Sequence, residues 1–196
     1  MFVNSVSLVT GVKDQIGVLK QVLPTWLRIP FREIIIVDWS SSPGEQDPVR
    51  LIKQLRDHRV RVLKVYDQKK LNQNASWNTG ISYSTSPLVQ CISCNNQIEP
   101  TFLDKFILDP ENLYTHENFC LFGKDQWKKV RGFREDVFDH KEIYDRIWFK
   151  QHVPIEERVI PIEPFIEQKA IHEKHRMAFD FDDFDMNGSI GSELCG

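Results

Sequence analysis

No stretch of this 196-residue chain approaches the about 20 apolar residues in a row that a membrane-spanning helix requires. The N-terminus, MFVNSVSLVTG, lacks a basic leader followed by a long apolar run. A cytoplasmic protein with no integral membrane segment is therefore expected. Surplus positive charge is also lacking: 25 Lys and Arg stand against 28 Asp and Glu, a net charge of −3. A chain that coats nucleic acid or an anionic membrane needs clustered positive charge, so no nucleic-acid partner is expected. The four cysteines, at 91, 94, 120 and 195, are too few for a dense disulfide framework, and reduced thiols follow as the default. Neither GxGxxG nor GxxxxGK(S/T) occurs, which removes the phosphate loops of the usual dinucleotide and P-loop enzymes.

What is present is ordinary globular usage, 41% apolar and 27% charged, at a length suited to one domain. The front half alternates two periods. Val6 to Val9 is a short β-branched run, and Gln15 to Leu27 puts Ile16, Leu19, Val22, Leu23 and Trp26 on one helical face. Glu33 to Val37 is an almost wholly apolar strand. Pro43 and Gly44 break the chain, Pro48 can open a helix carrying Val49, Ile52 and Leu55, and VRVLKVY is a third strand. Asn74 to Ser84 is a further helix and Leu88 to Ile92 a fourth strand. Continuous apolar strands joined by amphipathic helices imply a parallel sheet covered on both faces. The second half is less regular: a short helix over Pro100 to Leu108, a strand and helical turn in NFCLFGKDQWKKVRGF, a helix over Asp139 to Phe149, and an extended edge segment from Val159 to Ile166.

Ligands of open α/β sheets bind at the carboxyl ends of the strands. The segments there are Thr10-Gly11-Val12-Lys13, Asp38-Trp39-Ser40-Ser41-Ser42, Asp67, and Ser93-Cys94-Asn95-Asn96. Taken singly, each is also ordinary turn chemistry. Taken in order, VSLVTGVKD, EIIIVDWSSS, LNQNASWNTGI and then a strand with QIEPTFLD resemble the nucleotide-binding half of a GT-A glycosyltransferase of the family-two, inverting kind, over roughly residues 5 to 106. The resemblance implies an α/β fold, a single GT-A domain with a mostly parallel central sheet flanked by helices. It divides the chain into a nucleotide-binding half (1–98), an acceptor and catalytic half (99–179), and an acidic flexible tail (180–196).

By that resemblance Asp38 accepts the ring N–H of a nucleotide base, Thr10, Gly11, Val12 and Lys13 wall the base, and Trp39 and Ser40 follow it. Asn74, Trp77 and Asn78 occupy a segment that lies near base and diphosphate in the family. Read alone, Asp38 could be a turn or cap residue and Trp77 a core aromatic. The family ends its fourth strand with an Asp-x-Asp pair holding Mn²⁺ or Mg²⁺ against the donor diphosphate. Here Ser93, Cys94 and Asn95 stand on that triplet, a degenerate form with both carboxylates gone, and hard cations prefer carboxylate oxygens. Asn95, His172 and His175 are the remaining donors that could reach a metal. Lys13, Lys69, Lys70 and Arg176 are the cations available to a departing diphosphate.

Cys91-x-x-Cys94 has a competing metal or redox reading. One pair supplies two ligands where structural zinc takes four, and His172-x-x-His175 is a residue tight. On an extended segment the two thiols would point to opposite faces. Further on, GFREDVFDHKEIYDRIWFK resembles the family's second signature, a Gly-Phe-x-Glu loop followed by a Glu-Asp pair at a helix start. Asp139-His140 falls on the pair, so the general base would be His140, with Asp139, Glu142 and Asp136 as alternatives. Equally, those acids could be a solvated first helical turn. Asp183 to Glu193 nearly matches a calcium loop, but Glu193 falls one residue early.

The expected function is sugar transfer from a nucleotide-diphosphate sugar to a glycan, lipid or protein acceptor, with inversion and without a required metal. The alternative is a catalytically inactive protein that keeps the fold as a binding or scaffold surface.

Overall fold

The structure, a computed structural model, describes residues 5–116, 119–136, 143, 151–154 and 159–161. The elements run β1 (Val6–Val12), α1 (Ile16–Leu27), β2 (Glu33–Trp39), α2 (Pro48–Leu55), β3 (Val60–Val65), α3 (Gln73–Tyr83), β4 (Leu88–Ile92), β5 (Asn96–Ile98), a 3-10 turn (Phe102–Lys105), β6 (Asn112–His116), β7 (Phe119–Gly123), α4 (Lys124–Lys129), β8 (Gln151–Pro154) and β9 (Val159–Pro161). Seven strands form one sheet in the order β3-β2-β1-β4-β7-β6-β8, and β5 pairs with β9 apart from it. The first four strands are mutually parallel, β7 is antiparallel to both β4 and β6, and β8 rejoins β6 in parallel. The expected mostly parallel α/β sheet is observed. The expected helix over Pro100 to Leu108 is reduced to the single 3-10 turn. Thr101 makes no side-chain cap there, and the next residue, Phe106, is already extended.

Strand alternation divides the core in two. Val6, Leu8, Val12, Ile34, Ile36, Val60 and Val62 pack against α1 and α2, with Trp26 fully buried among them. Val9, Ile35, Val37, Leu63, Val89 and Cys91 pack against α3, with Trp77 and Phe133. The helices start where their caps dictate: Asp47 accepts the Val49 N–H at 3.0 Å ahead of Pro48, and Asn72 accepts the Ala75 N–H at 3.0 Å. α3 lies unusually close to β1. A Cβ on Gly11 would fall 2.0 Å from Ser76 Oγ, and one on Gly80 would fall 2.3 Å from Val9 Cγ1, so glycine on each element allows the approach.

At the amino ends of the strands, Glu33 joins four segments. Its Oε1 accepts from Ser7 Oγ (2.6 Å), Thr85 N (2.5 Å) and Thr85 Oγ1 (2.9 Å), while Arg61 pairs with Oε2. Glu33 is only 7% exposed. Burial by itself raises the carboxyl pKa, but the bonds from Ser7 and Thr85 and the Arg61 charge outweigh it and hold the group below the ordinary carboxylate range. A depressed folded pKa stabilises the fold fully above the unfolded value of about 4.3 and loses that contribution as pH falls through the folded value. Glu33→Gln is accordingly expected to cost about 1–3 kcal/mol at neutral pH and to flatten the stability profile between about pH 3 and 5. Urea unfolding across that range measures both, and a profile as steep as the parent's would contradict the assignment.

Candidate functional site

Three loops meet at the carboxyl ends of β1, β2 and β3. Gly11 and Val12 lie beside Val37 and Asp38, and Asp38 lies beside Lys64. Asp38 is 3% exposed, and its Oδ1 accepts the Ser41 N–H at 2.9 Å, closing the turn after β2. Burial pushes its carboxyl up; bonding to Ser41 and the nearby Lys64 charge act in the opposite direction without cancelling it. Ser40 Oγ donates to Val65 O (2.8 Å) and accepts from Gln68 N (2.9 Å). The Lys13 ammonium donates to the carbonyls of Ser40 and Gln68, the latter at 3.0 Å. Asp14 N donates to Ser41 Oγ (3.0 Å), and Ser42 N donates to Asp14 Oδ1 (2.6 Å).

Asp14, Ser40 and Asp67, one in each loop, hold positive φ angles of 53°, 60° and 62°. Such strain persists only where the surroundings over-determine it, and it gathers at functional sites. Three buried polar atoms at this edge, Thr10 Oγ1, Trp39 Nε1 and Gln73 Nε2, have no hydrogen-bond partner among the described residues. The loops that the sequence singles out as Thr10 to Lys13 and Asp38 to Ser40 are thus one structural unit. Lys13, expected as a free cation, is committed to two carbonyls within it.

Asn74, Trp77 and Asn78 serve a different contact. Asn78 Nδ2 donates to Phe133 O and to Glu135 Oε1, each at 2.8 Å, and Asn78 Oδ1 accepts from Phe133 N (2.8 Å) and Trp127 Nε1 (3.0 Å). Asn74 Nδ2 donates to Arg134 O and Asn72 Nδ2 to Glu135 O, each at 2.9 Å. Trp77 is fully buried, with its ring 5.5 Å from that of Phe133. α3 therefore carries an amide ladder that holds the Gly-Phe-Arg-Glu loop along its length and brings Glu135 to its first turn. Asn72 and Glu135 were not picked out as site residues from the sequence. The Gly-Phe-x-Glu signature was visible, but its partner lies about sixty positions away. Burial pushes the Glu135 carboxyl up, against the bond from Asn78. The candidate bases His140, Asp139 and Glu142, together with His172, His175, Arg176, the helix expected over Asp139 to Phe149 except for the buried Ile143, and the acidic tail, lie outside the described residues.

The Ser93-Cys94-Asn95 triplet does not fit a divalent cation. Cys94 is 4% exposed and its thiol donates to Gln15 Oε1 at 2.6 Å, and burial pushes that thiol up to about 12. The Asn95 side-chain oxygen accepts from Asn96 Nδ2 at 3.0 Å, and the Ser93 carbonyl accepts from Asn96 N and Nδ2, each at 3.2 Å. The triplet offers neutral oxygens and no carboxylate, whereas hard cations favour carboxylate oxygens. Among the described residues no group of three His, Cys, Asp or Glu side chains could hold a metal ion. Cys91 faces the α3 side, opposite Cys120 of β7, and Cys94 faces the α1 side. The two thiols of the Cys-x-x-Cys spacing thus belong to different cores and share no ligand.

Burial also raises the Cys91 thiol far above its ordinary value, so native protein is expected to leave Cys91, Cys94 and Cys120 unlabelled by a thiol reagent while urea-unfolded protein labels all three; peptide mapping reads the difference. Asn78→Asp turns two donors into acceptors facing the Phe133 carbonyl and the Glu135 carboxyl. It is expected to cost about 1–3 kcal/mol and to lower hydrogen-exchange protection across 132–135, and unchanged protection would contradict the amide ladder.

No family model matches the chain, and no curated protein matches it. Among solved structures it is similar to the mannosyltransferase PcManGT of Pyrobaculum calidifontis in complex with GDP-Man and Mn²⁺, with TM-score 0.66 and 13% identity over 87% of this chain and 61% of that one. It is also similar to TarS residues 1–349 of S. aureus, with TM-score 0.66 and 11% identity over 79% of this chain and 59% of that one. The same TarS segment in complex with UDP-GlcNAc gives TM-score 0.64 at 10% identity over 79% and 57%. The chain spans about three-fifths of the length of these structures. No helix among the described residues is long and apolar enough to cross a membrane. The fold is the mixed α/β GT-A arrangement of these neighbours, a mostly parallel central sheet flanked by helices.

Proposed function

We propose that the chain binds a nucleotide-diphosphate sugar and transfers the sugar to a glycan, lipid or protein acceptor, with inversion and without a divalent cation. The observation that carries this reading is the recessed Asp38 beside Gly11 and Val12, within three interlocked and strained loops at the carboxyl edge of a GT-A sheet. That edge is where open α/β sheets take ligands. Asp38 would accept the base N–H, Thr10 to Lys13 would wall the base, and Trp39 and Ser40 would keep the turn in place. Asn74, Trp77 and Asn78 would act from behind by holding the 132–135 loop, and Ser93 to Asn95 would border the ribose and diphosphate. His140, Asp139 or Glu142 would take the acceptor proton as its oxygen bonds to the sugar and the nucleoside diphosphate departs. With neutral groups at 93–95, the departing charge would fall to cations such as Lys69 and Lys70, in the loop after β3. Residues 1–98 would form the nucleotide-binding half and 99–179 the acceptor half, with 180–196 as an acidic tail.

The turn at 93–96, which carries no carboxylate, also supports a second reading, a GT-A-like binding or scaffold protein without catalysis. Calorimetric titration with UDP, GDP, CMP and dTDP sugars, in Mn²⁺ and in EDTA, separates the two. The expected outcome is binding that survives EDTA and weakens about 10- to 100-fold in Asp38→Ala, as for a lost hydrogen bond to a charged group. Binding that requires Mn²⁺ would overturn metal independence, and no binding to any donor would favour the scaffold.

A further inference from the structure

α3 turns one face to the sheet, formed by Gln73, Ser76, Trp77, Gly80 and Ile81, the spacing of a single helical stripe. Ser76, Trp77 and Ile81 are fully buried, and Gly80 closes on Val9. Gln73 heads the stripe at the carboxyl edge, where an apolar side chain would complete the packing. Its Nε2 is buried with no acceptor among the described residues, and a Cβ on Gly11 would lie 3.4 Å from it. The amide thus rests on the bare backbone of β1. Its polar neighbours on α3 are committed to protein: Asn72, Asn74 and Asn78 hold the 132–135 loop, Ser76 Oγ donates to Gln73 O at 2.8 Å, and Thr79 Oγ1 donates to Ala75 O at 2.9 Å.

A buried N–H without an acceptor costs the fold stability and supplies none. Thr10 and Trp39 also carry an atom at this edge without a partner among the described residues, but they are 0% and 2% exposed, whereas Gln73 is half-buried. The last torsion of a glutamine is soft, so of the three it is the Gln73 amide that a ligand at the strand ends can meet. Gly11 lies beside Val37, and the next register pair is Val12 with Asp38. Ile34 and Ile36 pack toward α1 and α2, and alternation puts the Asp38 carboxyl on that face. Gln73 and Asp38 thus flank the last two residues of β1 from opposite sides.

We propose that Gln73 is a specificity residue of the nucleotide site: its amide donates to the base carbonyl adjoining the ring N–H that Asp38 accepts. The inference rests on the nucleotide-binding reading above. A carboxamide nitrogen is a donor and calls for an acceptor on the ligand. Uracil O4 and guanine O6 each adjoin a ring N–H. Cytosine and adenine carry an exocyclic amine at that place, beside a ring nitrogen that bears no hydrogen. A donor from Gln73 next to an acceptor from Asp38 therefore selects UDP and GDP over CDP and ADP. Gly11 keeps the strand end bare, because a Cβ there would collide with Ser76 and meet the amide.

The test combines calorimetric affinities for UDP, GDP and CDP with the urea midpoint of ligand-free protein. Gln73→Met keeps the length of the side chain and removes the amide. It is expected to weaken UDP and GDP about 3- to 10-fold and to leave CDP no weaker. The urea midpoint should stay at or above the parent's, because the fold sheds an unsatisfied donor. Gln73→Glu exchanges the donor for an acceptor at the same size, so it should weaken UDP and GDP further and move the preference toward CDP; it also serves if Gln73→Met does not fold. Parent affinities retained in both variants would overturn the role of Gln73 while leaving the nucleotide reading intact. A midpoint that falls in Gln73→Met would make the amide structural, and an equal loss for all three nucleotides would assign it to the ribose or diphosphate; either outcome overturns the base contact. A parent protein that binds none of the three would overturn the nucleotide reading, and this inference with it.

Discussion

The close approach of α3 to β1 is the constraint on which the rest depends. Gly11 on the strand and Gly80 on the helix remove the two side-chain stubs that would hold these elements apart. With the gap closed, the asparagines of α3 come within hydrogen-bonding reach of the 132–135 loop, and Trp77 seals against Phe133. The same approach sets the first turn of α3 against the end of β1, where the three loops are tied together. Interiors pack too densely to absorb an extra methyl group without displacement, so the second half of the chain takes its position from two missing Cβ atoms in the first half.

The two ends of the sheet treat a buried carboxyl in opposite ways. Glu33, at the amino end, receives four donor contacts, and its pKa falls despite burial. Asp38, at the carboxyl end, is bonded among the described residues by Ser41, with Lys64 as a nearby cation, and its pKa rises. Desolvation acts on both, and the number of donors decides the sign. The amino end is therefore a saturated structural clamp. At the carboxyl end, an under-satisfied acid sits beside left-handed loop residues and polar atoms without a partner among the described residues, the condition expected where a polar ligand completes the bonding.

The turn after β4 is built into the packing around it. The Asn96 amide donates to the Asn95 side-chain oxygen, and the Cys94 thiol turns into the α1 core, where it meets Gln15. Trp26 of α1 reaches the Asn96 carbonyl from the same side at 2.9 Å. The turn thus belongs to the contact between β4, β5 and α1.

The sequence by itself determined the alternation of strands and helices, the two-faced sheet and the loops that end its strands, because apolar periodicity and cap residues act within a few positions of one another. Its odd spacing also sends Cys91 and Cys94 to opposite faces wherever that segment is extended; in the structure the strand ends at Ile92, and the two thiols lie in different cores. Only the tertiary structure decided that Cys91 faces Cys120, that Lys13 is spent on carbonyls of two other loops, that the α3 asparagines hold a loop some sixty residues away, and that Lys64 stands beside Asp38. Each of these depends on strand register and on how closely two elements approach. Both are fixed by contacts between distant parts of the chain that no local pattern encodes.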